Sequence, residues 1–384
     1  MHIGLDVSSM PRERVGAGYY MHNLVAALAG VDVANQYHLL ARRSLLPDLP
    51  AGGGNLRVDG LAPESRALRL LWEQTALPVL LARHRIDLLH SMHYTIPVAV
   101  RTKRVVTFHD MTFFLYPGVH TAQKRLFFGA MMRLSARLAD AVIAVSESTR
   151  QDILRILGVD PAKVFAVPSG VSPAFRPAAE PSLVERVRGS YHLPDRIVLY
   201  VGVLEPRKNL PALVRAFKGL VDRGLPHALV LVGRKGWMYG DLFRTVEELG
   251  LSGRVIFTGY VPEGDLPLLY NAADLFVYPS IYEGFGLPVL EAMASGVPVV
   301  TSNVSSMPEV AGDAAVVVDP RDVEGLEGAM HRILTDGALR EDLAHRGVER
   351  AGLFSWERTA RGTLAVYERV MGRQMDSLPQ RLNG

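Results

Sequence analysis

Short apolar runs bounded by glycine, proline and polar residues recur along the first half of the chain at residues 3–7, 37–41, 87–90, 105–108, 142–145 and 164–167. Each is too short for a buried helix and alternates with a longer stretch of helical periodicity, so the pattern predicts strands of a parallel, doubly wound sheet. The pattern then repeats, with runs at residues 197–201, 229–232, 255–257, 275–278, 297–301 and 315–318. Between the two series lies the proline-bearing stretch from Pro168 to Pro194, with Pro173, Pro177 and Pro181 inside it. It reads as a connection between domains. The expected organisation is an α/β chain with a first domain over residues 1–170, a linker over 171–194 and a second domain from residue 195.

Two helical stretches in the first half stand out, residues 65–85 and 124–139. In the second, Phe127, Met131, Leu134 and Leu138 form the expected core stripe, which leaves Phe128 and Met132 among Lys124, Arg125, Arg133 and Arg137. Basic residues mixed with apolar ones suit either a patch at a lipid interface, facing the inner side of a membrane, or a helix packed on two sides.

Length and composition support this picture and narrow the function. A chain of 384 residues exceeds one ordinary core, and 48% apolar with 21% charged residues is a globular composition. No apolar run approaches the roughly 20 residues that span a bilayer. Met1 leads directly into the first strand run with no signal-peptide pattern, so a cytoplasmic location is expected. With no cysteine, disulfides, thiolate metal sites and cysteine nucleophiles are excluded. The net charge of +3 hides an asymmetry: residues 1–170 hold 19 Lys and Arg against 13 Asp and Glu, giving +6, and the remainder therefore carries −3. The excess is scattered rather than gathered in one run, which argues against nucleic acid as a partner.

The densest chemistry lies in LFVYPSIYEGFGLPVLEAMASG, residues 275–296. A strand run leads into a loop with Gly284 and Gly286, and Pro288 suits the first turn of a helix that Gly296 ends. First-turn amides and the helix dipole then converge at Gly284, Phe285, Gly286 and Leu287, where an anion can be held. Glu283 and Glu291, with seven residues between them, flank this point, and carboxylates accept hydrogen bonds from paired hydroxyls. Read without context, they are equally a solvated loop glutamate and a glutamate at a helix start.

Other candidates sit where strands end. Arg207 and Lys208 follow the run at 197–201 and are placed to neutralise a diphosphate. His109 and Asp110 close the run at 105–108, the end of an open sheet where ligands bind. A histidine there suits contact with a sugar hydroxyl, or it is pinned by Asp110. The loop ending Gly16-Ala17-Gly18 has G-x-G but lacks the third glycine and the following acidic residue of a dinucleotide fingerprint. His90 and His93 suggest a metal pair, but no third ligand has a helpful spacing.

The run E-G-F-G-L-P-V-L-E from Glu283, followed by A-M-A-S-G-V-P-V-V, resembles the E-x7-E signature of retaining glycosyltransferase family 4, and the likeness covers nearly the whole chain. The resemblance implies the GT-B fold, two Rossmann-like domains facing a cleft. It further implies a second domain over residues 195–355 and a final helix, residues 356–384, crossing back to the first. It implies transfer of a hexose from a nucleotide-diphosphate sugar to a glycan or lipid-linked glycan in cell-surface polysaccharide synthesis. The loop GAGYY and the run LEPRKN resemble the branch that often uses GDP-mannose, so GDP-mannose is the first donor and UDP-hexoses the second.

Carried over by position, Glu283, Arg207, Lys208 and His109 are catalytic. Gly16 and Gly18 line the donor phosphates, and Gly284 to Leu287 hold the diphosphate. Glu291 holds the ribose, and Gly233, Arg234, Tyr260 and Val261 lie by the base. The family more often has glycine where Asn209 stands, which narrows the branch. The chain has no D-x-D pair, and no metal or other cofactor is expected, the cations and helix dipole taking the metal's place. Two other functions fit the same fold: a non-hydrolysing sugar-nucleotide epimerase and a non-catalytic nucleotide-sugar-binding subunit.

Overall fold

A computed structural model describes residues 1–11, 16–50, 54–58 and 60–372 of the chain. They form two compact units, one of Met1–Gly170 with the chain from Ser355, the other of Val171–Phe354.

The first unit contains seven parallel strands: β1 (His2–Asp6), β2 (Gln36–Leu40), β3 (Leu56–Val58), β4 (Leu88–Ser91), β5 (Lys103–Phe108), β6 (Ala141–Ala144) and β7 (Val164–Ala166). Their order in the sheet is β3-β2-β1-β4-β5-β6-β7. The strands carry continuous apolar runs because both faces are covered by helices: β6 is buried at every position and β5 over its last four. The short edge strand β3 has half-exposed Leu56 and exposed Arg57 and Val58, so it lacks the apolar run that marks the others.

The C-terminal helix Trp356–Val370 is built into this unit. Its Tyr367 hydroxyl lies 2.6 Å from Nδ1 of His90, whose Nε2 is 2.7 Å from the Thr107 hydroxyl. Thr359 donates from its hydroxyl to the carbonyl of Pro168 at 2.8 Å. His90 is thus a core histidine with both ring nitrogens engaged, and burial pushes its pKa down to about 3. It is not a metal ligand, and among the described residues no cluster of three or more metal-ligating side chains occurs.

Two helical readings are corrected. The stretch 65–85 is two helices, Arg66–Gln74 and Ala76–Arg83, which meet at Thr75. In the helix Ala122–Leu138 the buried face is Phe128, Gly129, Met132, Ser135 and Ala136, not the stripe from Phe127 to Leu138. Small residues let this face approach the sheet, and Phe128 stacks on Phe113 at 4.6 Å. The larger side chains on the neighbouring row are only partly covered.

The second unit has six parallel strands: β8 (Ile197–Val201), β9 (Ala228–Val232), β10 (Val255–Gly259), β11 (Leu275–Tyr278), β12 (Val299–Ser302) and β13 (Val316–Val318), in the order β10-β9-β8-β11-β12-β13. Strands β8, β9, β11 and β12 are buried throughout. Residues 171–194, expected to be a linker, belong to this unit. Their helix Pro181–Ser190 is placed by Arg188, which donates to the carbonyls of Pro194, Asp195 and Ala272.

In each unit the strand order reverses at one point, between β1 and β4 in the first and between β8 and β11 in the second. Chains leaving the carboxyl ends of two such strands turn to opposite faces and open a crevice, the general ligand position of open α/β sheets.

Candidate active site

At the reversal in the second unit, the chain leaving β8 carries Arg207 and Lys208 and the chain leaving β11 carries Glu283. The structure brings the three together. Lys208 Nζ lies 2.5 Å from Glu283 Oε1 and donates to the Tyr278 hydroxyl at 2.7 Å. Arg207 Nη1 lies 2.8 Å from Glu283 Oε2 and donates to the carbonyl of Tyr282 at 2.7 Å. Both glutamate oxygens are therefore held by cations.

Burial alone would raise the Glu283 pKa, but Arg207 and Lys208 outweigh it and bring it down to about 2. Burial and the neighbouring Arg207 pull Lys208 down from the ordinary lysine range while Glu283 supports its charge. The ionised carboxylate in contact keeps it an ammonium.

Two further residues complete this centre, and neither was assigned a role from sequence. Glu205 takes both Nε (3.1 Å) and Nη2 (2.7 Å) of Arg207 on one carboxylate oxygen. Tyr278, the last residue of β11, stacks on Tyr200 at 5.6 Å and has the Lys208 ammonium 5.0 Å from its ring centre. Their signals were faint: an acid two residues before Arg207, and an aromatic at a strand end. Two cations and two carboxylates leave the cluster neutral, so a diphosphate here must also be met by amide dipoles.

Those dipoles come from the loop and helix that follow. The helix runs Leu287–Ala294 with Gly286 as its cap at φ 110°. That φ is one side-chain-bearing residues rarely adopt, so the position favours glycine, and a Cβ there would also displace the end of the Met307 side chain. The loop is pinned from the segment after β12. The Ser305 hydroxyl accepts from the Glu283 amide at 3.0 Å, while the Ser306 hydroxyl lies 3.0 Å from the Glu283 carbonyl and 2.7 Å from that of Phe285. The Phe285 ring packs against Phe354 at 5.9 Å, which leaves its backbone to line the turn. In the first turn Pro288 has no N–H and the Val289 amide donates to the Gly286 carbonyl at 3.0 Å, so the first-turn donor for an anion is the Leu287 amide, beside that of the Gly286 cap.

Glu291, one turn along that helix, is buried and accepts from the Tyr270 hydroxyl at 2.9 Å. Burial drives its pKa up to about 7 against the pull of that bond. The E-x7-E pair is therefore electrically split: Glu283 is fixed as an anion and Glu291 is poised near neutrality.

Asn209 adopts φ 57°, the left-handed conformation that asparagine tolerates best after glycine, and donates to the Pro320 carbonyl at 2.6 Å. At the next strand end Gly233 has φ 140°, and a Cβ there would lie 2.0 Å from the Gly202 carbonyl oxygen. Its amide donates to Gly259 at 2.8 Å, which ties the ends of β9 and β10 together. Arg234 and Tyr260 are exposed at these ends and Val261 is buried.

The remaining candidates lie in the first unit. His109 is 2.8 Å from the Met92 carbonyl through Nε2, so that nitrogen carries the proton and Nδ1 is an acceptor in the neutral ring. Burial lowers its pKa despite Asp110. Asp110 does not pin it; its Oδ1 accepts from the amide (3.0 Å) and hydroxyl (2.7 Å) of Thr112. Gly16 caps the helix Ala17–Val31, and Gly18 lies against Pro11, a Cβ there reaching its ring at 3.1 Å. Tyr20 from the same helix meets His109 edge-on at 4.9 Å, so the glycine turn and the histidine converge.

Beside them, at the reversal between β1 and β4, is a polar cluster that the sequence did not indicate. Glu73 accepts from Thr95 (2.7 Å) and Gln74 (2.9 Å) and lies 3.4 Å from Arg69. Burial, with Asp6 nearby, pushes its pKa up to about 7.

Two family models match the chain, Glycosyltransferase Family 4 over residues 15–175 and Glycosyl transferases group 1 over residues 186–350. The O-antigen chain mannosyltransferase B of Escherichia coli is 37% identical over 281 residues, 73% of each protein. The sucrose-phosphate synthase of Thermosynechococcus elongatus superposes with a TM-score of 0.75 at 26% identity, covering 97% of this chain and 99% of that one. Anabaena HepE, solved with UDP-glucose, gives a TM-score of 0.76 at 21% identity over 97% and 100%, a likeness of fold. The chain belongs to these glycosyltransferase families, is a glycosyltransferase, and has the fold of the GT-B enzymes.

The raised Glu291 pKa has a consequence for stability. The unfolded chain ionises this group near its ordinary value of 4.5 and the folded chain only near 7. Its contribution is therefore present below about pH 4.5 and lost as pH rises through 7. Glu291→Gln keeps the acceptor for Tyr270 without that loss. In denaturant titrations without ligand, its stability relative to wild type should rise by about 3 kcal/mol between pH 4.5 and pH 8. A difference that stays flat with pH contradicts the assignment.

Proposed function

We propose that this glycosyltransferase moves mannose from GDP-mannose to a glycan or lipid-linked glycan acceptor, with retention of anomeric configuration and without a metal ion, in the synthesis of a cell-surface polysaccharide. The observation that carries the reading is the Lys208–Glu283–Arg207 contact at the strand reversal, directly ahead of a glycine-capped helix start. Mannose is favoured because the relative from Escherichia coli is named an O-antigen chain mannosyltransferase. UDP-hexoses are the second donor class, and HepE was solved with UDP-glucose.

In this mechanism Glu283 orients the sugar through its hydroxyls. It is a poor base and a poor nucleophile because both oxygens are bound by cations and its pKa is about 2. The acceptor proton therefore passes to the departing phosphate oxygen on the same face as the attack. The C–O bond to phosphate breaks as the new glycosidic bond forms, and the nucleoside diphosphate leaves with the proton. Lys208 and the amides of Gly286 and Leu287 stabilise the charge that develops on that oxygen. Glu291 accepts from the ribose hydroxyls and is drawn to its ionised form. Gly233, Arg234, Tyr260 and Val261 border the base.

A peripheral membrane contact on the cytoplasmic side is proposed for the helix Ala122–Leu138. Lys124, Arg125, Leu126, Ala130, Arg133, Leu134 and Arg137 are exposed on it, and it contains no acidic residue. Leu126, 77% exposed, stands among these cations, the pattern of a helix that lies on an anionic lipid surface. This row replaces Phe128 and Met132, which are buried. Among the described residues no helix is long and apolar enough to cross a membrane.

The donor is tested by thermal shift with GDP, UDP, ADP and their sugars, with and without EDTA. A rise selective for GDP compounds and unmoved by EDTA is expected, and Lys208→Ala should lower kcat by about a hundred- to a thousandfold. A rise only with UDP compounds overturns the donor, and a rise abolished by EDTA overturns the metal-free mechanism. For the membrane contact, co-sedimentation with vesicles containing phosphatidylglycerol should be seen for wild type and reduced in Leu126→Glu. No binding by wild type removes it.

A further inference from the structure

The turn that follows β9 carries three large side chains in succession that the mechanism leaves unused. Trp237 is 41% exposed, Met238 70% and Tyr239 37%, the one place among the described residues where three such side chains stand in a row at the surface. The turn is built rather than loose. Leu204 donates its amide to the Arg234 carbonyl at 3.0 Å, and the Gly236 amide donates back to the Leu204 carbonyl at 3.0 Å. A Cβ on Gly236 would lie 2.7 Å from that carbonyl oxygen, so the close approach needs glycine. Met238 is held at φ 53°, a conformation that costs an unbranched side chain energy unless its surroundings impose it. Tyr239 is fixed from below: its ring meets Phe243 at 5.6 Å, Phe243 stacks on Phe257 at 4.5 Å, and the Lys235 ammonium lies 5.5 Å from the Tyr239 ring.

The staple fixes where the turn stands. Leu204 is followed at once by Glu205 and then by Arg207 and Lys208, so the Trp237 turn is bonded to the segment that presents the cations. An indole and a phenol exposed on a turn bonded to the segment that carries Arg207 and Lys208 offer flat apolar faces to the C–H face of a pyranose, while their N–H and O–H serve its hydroxyls. Three side chains are far fewer than the roughly 20–30 residues that each side of a stable protein interface contributes.

We propose that the Trp237–Met238–Tyr239 turn is a carbohydrate-binding platform for the glycan chain of the acceptor. It deepens the glycosyltransferase reading and rests on it. Its part is binding: it holds acceptor residues and takes no part in breaking the donor bond.

Trp237 is also its own reporter. The chain has three tryptophans, and Trp72 and Trp356 are buried. Titration of wild type with α-linked mannotriose should produce a saturable blue shift and change in tryptophan emission that is missing in Trp237→Phe. Saturating GDP alone should leave the emission where it was. In transfer assays with a mannose-terminated acceptor, Trp237→Ala should raise the acceptor KM about tenfold, equivalent to about 1.4 kcal/mol, with kcat within about twofold. Trp237→Phe should recover part of that loss.

The platform is overturned if mannotriose does not move the wild-type emission, if GDP alone produces the whole shift, or if Trp237→Ala leaves the acceptor KM unchanged. A folded wild type that transfers no sugar from any donor would instead sink the glycosyltransferase reading, and the emission titration would still decide whether the turn binds carbohydrate.

Discussion

The second unit depends on one buried contact, between Lys208 and Glu283. It is made by two chain segments that leave neighbouring strands β8 and β11 at the point where the sheet order reverses. Any shift in the register of either strand separates them. A buried ion pair is a weak source of stability, since desolvation cancels much of the attraction. Its value here is geometric: it fixes a carboxylate as an anion with both oxygens directed, and it holds an ammonium beside the start of a helix. Tyr278, Glu205 and Arg207 all serve that geometry, and Ser305 and Ser306 hold the loop that carries it.

The contrast between the two glutamates follows from their partners rather than their depth. Both are buried, yet two cations hold Glu283 while Glu291 meets the Tyr270 hydroxyl. The first is therefore suited to orienting a sugar through fixed charge. The second is suited to responding to a ligand, because hydroxyl donors arriving at Glu291 favour its ionised form.

Much of the fold was legible in the sequence because parallel strands buried on both faces must be apolar throughout. Twelve of the thirteen strands announce themselves that way or nearly so, and β3, at an edge with two exposed residues, does not. The site was legible where backbone geometry dictates residue type. Gly286 is required by its φ of 110° and Gly233 by its close approach to the Gly202 carbonyl, and the adjacent cations at Arg207 and Lys208 stand at a strand end. What could not be read were contacts across the sheet. Nothing in the spacing says that Arg207 is shared between Glu205 and Glu283, that Tyr270 meets Glu291, or that Glu73 and Arg69 gather at the other reversal. The helix Ala122–Leu138 misled for a different reason. Its packed face is built from Gly129, Ser135 and Ala136 as well as Phe128 and Met132, and ranking positions by apolar size selects the neighbouring row.

The most direct test of this account is a crystal structure of the protein with a nucleoside diphosphate bound. The β-phosphate is expected within hydrogen-bonding distance of Lys208 Nζ and of the amides at Gly286 and Leu287, with the ribose hydroxyls on Glu291. A nucleotide bound at another strand end, with Lys208 and Arg207 still held by Glu283 and Glu205, would contradict it.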